Sequence, residues 1–242
     1  MKKRIDVLLT EQGMFSSRAK AVMAIKNGSI SVNGKIISKS SELVDENSGI
    51  NILGETLRYV SRGGLKLEKA IEVFNLELND KVVLDLGAST GGFTDCALQN
   101  GAKKVYAVDI GSNQLAESLK SDKRVLNLEK TDAKSLKKDI FNQCDYIVAD
   151  ISFVSIVKII EGIIDKISHQ KLMLLIKPQF ECGVEIAKKC KGVIRDERLS
   201  REIADTTIKD LEKLGLRLIG IERSPIKGGD GNTEYITFWS KQ

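Results

Sequence analysis

Lys66, Asp150, Lys177 and Glu234 are two cations and two carboxylates, far apart along the chain and each beside an apolar run. Gathered at one sheet edge, such a set holds an amine among opposing charges and uses it to activate a weak nucleophile such as a hydroxyl. Lys177 is the candidate for that role. It ends the apolar run 172–176, where burial disfavours the ammonium while Asp150 and Glu234 favour it and orient it, so the sign of the balance stays open. Lys66 adds positive charge near the target hydroxyl or phosphate. Taken singly, each of these residues reads as a surface or salt-bridge group. Only as a set at strand ends do they point to a site.

A Gly-rich turn, Asp85-Leu86-Gly87-Ala88-Ser89-Thr90-Gly91-Gly92, lies between the first two members of the set and leads into Phe93. It follows an apolar run directly, and its glycines would let backbone approach a ligand at a helix N-terminus. It is not the Gly-x-Gly-x-x-Gly dinucleotide fingerprint. The second run ends at Asp109, about 20 residues on, where a carboxylate accepts from both ribose hydroxyls. Asp132 follows the third run, placed to accept from an adenine amino group. Asp85, Gly87, Ala88, Gly91, Gly92, Phe93, Asp109 and Asp132 are therefore the candidate cofactor residues. The three acids favour S-adenosylmethionine, with a nicotinamide cofactor second; the plainer reading of Asp109 is a strand-end cap.

The elements that must position these groups alternate in type. Runs at 82–84, 105–108, 125–128, 146–149 and 172–176 are β-rich and separated by helical stretches, which predicts an α/β, Rossmann-like, mostly parallel sheet covered on both faces. Runs 217–221 and 234–239 are joined by a loop too short for a crossover helix and should pair antiparallel at the edge. Leu65, Leu67, Ala70, Ile71 and Phe74 mark a helix before the first strand. A boundary near residue 60, after a connection through 54–61, divides a unit over 1–60 from one over 61–242.

The first unit holds the charge. The chain's formal net charge is +5, yet residues 1–40 carry eight Lys or Arg against two acids. A compact basic element on a near-neutral body is the footprint of phosphate-backbone contact; a solubilising surface is the bland alternative. Ile5, Leu8 and Leu9 suggest a short helix, and Ser16 or Ser17 caps a second whose core face is Ala19, Val22 and Ile25. Asn33-Gly34 is a type I′ turn between two short strands. This small α+β unit turns Arg18, Lys26 and Lys35 outward; Arg4, Lys20 and Arg62 complete the basic RNA-binding candidates. No apolar run approaches the roughly 18 residues of a membrane helix, and four cysteines without a Cys-x-x-Cys pair and a single His make no convincing metal site. A cytoplasmic, metal-free monomer is expected.

Two absences narrow the acceptor. With prolines only at 178 and 225, neither Asn-Pro-Pro-Tyr nor Pro-Cys is present, which leaves oxygen rather than an exocyclic nitrogen or pyrimidine carbon.

The segment 17–35 resembles an RNA-binding domain first seen in a small-subunit ribosomal protein and shared by pseudouridine synthases, which implies binding to structured RNA by shape and phosphate. The tetrad resembles the Lys-Asp-Lys-Glu set of FtsJ/RrmJ-type ribose 2′-O-methyltransferases. Together with Arg62-Gly63-Gly64, Asp150-Ile151-Ser152-Phe153, Ile176-Lys177-Pro178-Gln179-Phe180-Glu181 and the stretch 191–196, it resembles the TlyA (haemolysin A) family nearly end to end. That resemblance implies methylation of cytidine 2′-hydroxyls in ribosomal RNA or ribosomal subunits, with Phe153 stacking on the displaced nucleotide; ordinary core packing is the plainer reading of Phe153. Gly229 stands where the family often has Pro, which would loosen the loop before Glu234. Two rivals are a membrane-active haemolysin, disfavoured by short, charge-interrupted runs, and a non-catalytic RNA-binding factor, disfavoured by the intact tetrad.

Overall fold

The computed structural model describes residues 2–15, 17–26, 28–53 and 58–242, without the side chains at 19, 23 and 26. The cap expected at Ser16, the connection through 54–57 and the roles assigned to Ala19 and Lys26 lie outside the described residues. The chain divides into two compact units, Met1–Arg58 and Tyr59–Gln242.

The first unit runs β1 (Lys2–Arg4), α1 (Ile5–Glu11), α2 (Arg18–Lys26), β2 (Ile30–Val32), β3 (Lys35–Ile36), β4 (Leu43–Asp45) and β5 (Ile50–Ile52). Asn33 and Gly34 both take positive φ, 50° and 80°, as a type I′ turn requires, and β2 and β3 pair as the expected hairpin. β5 adds to β2, and β1 pairs with β4 in a separate ladder. Ser17 accepts from the Lys20 amide at 3.3 Å near the start of α2. The core face of α2 is Ala21, Ala24 and Ile25 rather than one containing Val22, which is only half-buried. These pack with Ile5, Leu8, Leu9 and Ile30.

The second unit contains α3 (Gly64–Phe74), β6 (Val82–Leu86), α4 (Gly92–Gln99), β7 (Lys104–Val108), α5 (Glu117–Lys120), β8 (Val125–Leu128), α6 (Lys138–Asn142) and β9 (Tyr146–Ala149). It continues with α7 (Ile156–Glu161), β10 (Lys171–Ile176), α8 (Pro178–Glu181), α9 (Gly183–Lys189), α10 (Glu197–Lys213), β11 (Leu216–Arg223) and β12 (Tyr235–Lys241). The strands form one seven-stranded sheet in the order β11-β12-β10-β9-β6-β7-β8. The pairs from β10 to β8 are parallel, and β12 lies antiparallel between β10 and β11.

Side-chain alternation along each strand makes two cores. Leu84, Ile147, Leu174 and Trp239 face one layer with Ala204 and Leu211 of α10, while Val83, Val148, Met173 and Phe238 face Leu67 and Ala70 of α3 and Cys96 of α4. Strand order reverses between β6 and β9, so the carboxyl ends there open a crevice where ligands bind in such sheets. Among the described residues no helix is long and apolar enough to cross a membrane.

Candidate functional site

The four tetrad residues converge at that end of the sheet. Asp150 directly follows β9, Lys177 directly follows β10, Glu234 directly precedes β12, and Lys66 lies in the first turn of α3. Register explains the meeting: Ile176 pairs with Tyr235 across the antiparallel β10–β12 ladder, which sets residues 177 and 234 side by side. Lys66 Nζ lies 2.9 Å from Asp150 Oδ2 and 2.7 Å from Glu234 Oε2. Lys177 Nζ lies 2.6 Å from Asp150 Oδ1 and donates to Ser152 Oγ at 2.8 Å. Glu234 is thus the partner of Lys66, not of Lys177 as the strand-end reading supposed; Asp150 alone bridges both lysines.

Lys66, Lys177 and Glu234 are buried, so the cluster exchanges hydration for mutual charge. Burial alone would lower the Lys66 pKa, but Asp150 and Glu234 outweigh it and hold the ammonium above its ordinary value. Burial alone would raise Asp150, but Lys66 and Lys177 outweigh it and hold the carboxyl below its ordinary value. Asp150 Oδ1 and Glu234 Oε2 are thus each held by a lysine ammonium, Lys177 and Lys66 respectively. A Cβ on Gly228 would lie 2.6 Å from Glu234 Oε1, so a larger residue there would displace that carboxylate; Gly229 faces open space.

Beside the tetrad is a cleft of about 510 Å³, within the usual range for small-molecule sites. Gly87, Asp109, Ile110, Asp132, Asp150 and Phe153 are among the residues lining it. Asp109 Oδ2 accepts from the Ser89 amide at 2.8 Å and Oδ1 from the Gly111 amide at 2.7 Å. Asp132 Oδ1 accepts from the Lys134 amide at 2.8 Å. Both carboxylates therefore brace loops at strand ends, and each accepting oxygen has a lone pair beyond the one its amide uses.

Asp85, Ala88, Gly91, Gly92 and Phe93 are not part of this lining. Phe93 belongs to the core. Gly91 has φ +96° and a Cβ there would run into Leu119, while a Cβ on Gly92 would lie 2.9 Å from the Gly64 amide. The two glycines thus serve close packing, Gly92 against the helix start that carries Lys66. Asp85 is 1% exposed and accepts from Thr94 Oγ1 at 2.6 Å, leaving Oδ1 without a partner. Burial pushes its carboxyl up to about 7, opposed by the Thr94 hydrogen bonds and reinforced by the charges of Asp150 and Asp109.

Sequence reasoning missed Ile110, Ser89, Ser152 and Lys134 in the lining. Ile110 is 78% exposed, an apolar residue that the strand pattern gives no reason to single out. Phe153 is 91% exposed with φ +69°, and its ring lies 5.4 Å from that of Phe180 at 50°. Core packing is thereby excluded for Phe153. A phenylalanine in the left-handed region is strained, and such residues concentrate at functional sites.

The basic candidates of the first unit divide into two kinds. Lys20 and Lys35 are exposed. Arg4 and Arg18 converge on Asp6, which is 1% exposed and accepts from Arg4 Nε and Nη2 at 3.0 Å each and from Arg18 Nε at 2.9 Å. Neither Arg projects freely, although both side chains remain about half exposed. Arg62, in the second unit just before α3, is half-buried.

Residues 59–241 match the FtsJ-like methyltransferase family. The chain belongs to that family. Residues 3–50 match the S4 domain. The protein YqxC of Bacillus subtilis is 42% identical over 240 residues, covering 97% of this chain and 84% of that protein. The 16S/23S rRNA (cytidine-2′-O)-methyltransferase TlyA of Mycobacterium tuberculosis is 34% identical over 242 residues, covering 99% of this chain and 90% of that protein. A solved structure of a hemolysin-named protein from Streptococcus thermophilus superposes with a TM-score of 0.77 at 39% identity, covering 100% of this chain and 89% of that one.

In the FtsJ-like unit, Asp85 gives a pH-dependent expectation. A carboxyl raised from about 3.9 in the unfolded chain to about 7 in the fold prefers its proton when folded, so its contribution is present below pH 4 and lost as pH rises to 7. Asp85→Asn should flatten that decline, seen as a difference in melting temperature that changes between pH 4 and 7 and is constant above 8. In the S4 unit, Asp6→Ala should lower stability in urea unfolding of the full chain, by less than loss of a fully buried pair because both arginine side chains are about half exposed.

Proposed function

We propose that this protein transfers a methyl group from S-adenosylmethionine to the 2′-hydroxyl of a cytidine in ribosomal RNA. The observation that carries the reading is the bridged tetrad opening beside a nucleoside-sized cleft: an activating lysine, its carboxylate and a cofactor site share one wall, at Asp150. The relative TlyA supplies the acceptor, a cytidine 2′-oxygen in ribosomal RNA.

The cleft residues fit the cofactor. Asp109 would hold its ribose hydroxyls, Asp132 its exocyclic amine, and Ile110 and Ala133 the face of its base. When bound, the cofactor supplies a sulfonium methyl that is already electrophilic.

The chain's own work is positioning and proton handling. The S4 unit docks on folded RNA through Lys20, Lys35 and the Arg4–Asp6–Arg18 clamp, holding by phosphate contact. Phe153 offers an exposed aromatic face for an unstacked base. Lys177, an ammonium beside Asp150 at rest, first passes a proton to solvent; the neutral amine then accepts the 2′-hydroxyl proton, and Asp150 stabilises the ammonium that re-forms. Glu234 and Asp150 fix Lys66, whose charge faces the developing oxyanion. Alignment of this kind contributes about 7–11 kcal/mol to a transfer whose electrophile needs no further activation. Action on ribosomal RNA would place the protein in the cytoplasm.

The test is incubation of the purified protein with radiolabelled S-adenosylmethionine and, separately, small and large ribosomal subunits lacking the modification. Label that survives nuclease digestion as a resistant dinucleotide is the expected result. Cofactor binding without label on either subunit would leave an RNA-binding factor.

A further inference from the structure

The segment between β9 and α7 is tied down on both sides of Phe153, and only one of the ties belongs to the tetrad. On one side Lys177 Nζ donates to Ser152 Oγ at 2.8 Å. On the other, Ser155 Oγ donates to Glu181 Oε2 at 2.6 Å and the Ile156 amide donates to Glu181 Oε1 at 2.8 Å. Lys177 precedes the single turn of α8, and Glu181 ends it; the same turn carries Phe180, the ring against which Phe153 leans.

Ser155 stands at the N-cap of α7 but makes no side-chain cap; the Glu181 carboxylate, arriving from α8, satisfies the first helical amide in its place. Glu181 is half-buried, and burial raises its carboxyl above the ordinary value against the two hydrogen bonds that favour its charge. No other carboxylate among the described residues accepts from this segment. Phe153, exposed and at φ +69°, would relax toward ordinary backbone without both ties.

We propose that Glu181 is a positioning residue for the RNA nucleotide, holding the 152–156 segment so that the Phe153 ring stays presented beside Lys177. This rests on the methyl-transfer reading given above. Glu181 touches neither cofactor nor reacting atoms in this role; it acts through Phe153.

The experiment compares wild type, Glu181→Ala, Glu181→Gln, Ser155→Ala, Phe153→Ala and the Glu181→Ala/Phe153→Ala double variant. Three quantities are read: kcat and KM for a ribosomal subunit, Kd for S-adenosylhomocysteine, and hydrogen exchange across 152–156. Glu181→Ala should lower kcat/KM for the subunit about tenfold, since small misplacements of a positioned group are amplified in rate. Affinity for S-adenosylhomocysteine should stay within about threefold, and exchange at the Ile156 amide should accelerate. Glu181→Gln, which keeps an acceptor for Ile156, should recover most of the loss, and Ser155→Ala should fall between. In the Phe153→Ala background Glu181→Ala should cost less than about twofold more, because residues acting through one another are not additive.

A loss of S-adenosylhomocysteine affinity as large as the loss of kcat/KM would overturn the proposal, since the tie would then shape the cofactor cleft. So would full additivity with Phe153→Ala. If wild type methylates no ribosomal substrate, the reaction itself fails, and exchange alone decides the tie: acceleration in Glu181→Ala sustains it, and an unchanged Ile156 amide overturns it.

Discussion

Replacing Lys177 with methionine is expected to lower methyl transfer to RNA by about a thousandfold, within the range that removal of a proton-transfer group produces. The methionine fills most of the lysine's volume but offers no nitrogen at the point 2.6 Å from Asp150 and 2.8 Å from Ser152. Cofactor affinity should change little, because Lys177 does not line the cleft. Stability should fall as well, by about 1–3 kcal/mol, since two carboxylates would then share Lys66 alone in a largely buried cluster. Adding Asp150→Asn to Lys177→Met restores charge balance, so the double variant should recover stability but no activity. Single-turnover methylation alongside urea unfolding separates the two effects. Transfer above about a tenth of wild type would remove Lys177 from the proton path and leave positioning as the whole of catalysis.

Strand-end logic located the tetrad because Asp150, Lys177 and Glu234 each adjoin a strand whose apolar run is plain in the sequence, and ligands meet such sheets at those ends. The pairing inside the tetrad was not legible. Which lysine Glu234 meets depends on the Ile176–Tyr235 register of an antiparallel ladder, which the runs themselves do not encode. The Gly-rich turn was legible as a turn, but its last glycines answer to the protein's own backbone and side chains. A Cβ at Gly92 meets the Gly64 amide, a contact between segments that local pattern does not reveal. Phe153 read equally as core or as platform, because exposure and a positive φ belong to the folded loop. In the S4 unit the Asn33-Gly34 turn was strong enough to give the hairpin, whereas β1, β4 and β5, at three residues each, are too short to show a period of two. Alanines at 21 and 24 carry weak apolar signal, so the buried face of α2 was displaced toward Val22. Asp6 counted only as one acid against eight bases; its burial between Arg4 and Arg18 is tertiary.

Asp150→Ala should produce the largest combined loss, about 3–5 kcal/mol in stability at pH 7 and no measurable methyl transfer. The carboxylate sits 2.9 Å from Lys66 and 2.6 Å from Lys177, and without it two buried ammonium groups face one remaining acid, Glu234, which reaches only Lys66. The pH dependence identifies the cause. Despite burial, the two lysines hold Asp150 below its ordinary pKa. Its contribution is therefore present in full above the unfolded value, near 3.9, and lost as pH falls through the lower folded value. The part of the gap in unfolding free energy between wild type and Asp150→Ala that comes from the titration of Asp150 itself should hold above about pH 4 and narrow below it. Lys66 does not blur that window: its pKa is raised, so its own contribution is complete below the unfolded value near 10.4 and declines only as pH rises through the folded one. Asp85 does respond, because the Asp150 charge is among the causes of its raised pKa, and Asp150→Ala should draw its titration back toward acid. Asp150→Asn keeps the shape without the charge. Its activity should be as low as that of Asp150→Ala, because what both variants lack is the negative charge that would stabilise Lys177 once it has taken the proton.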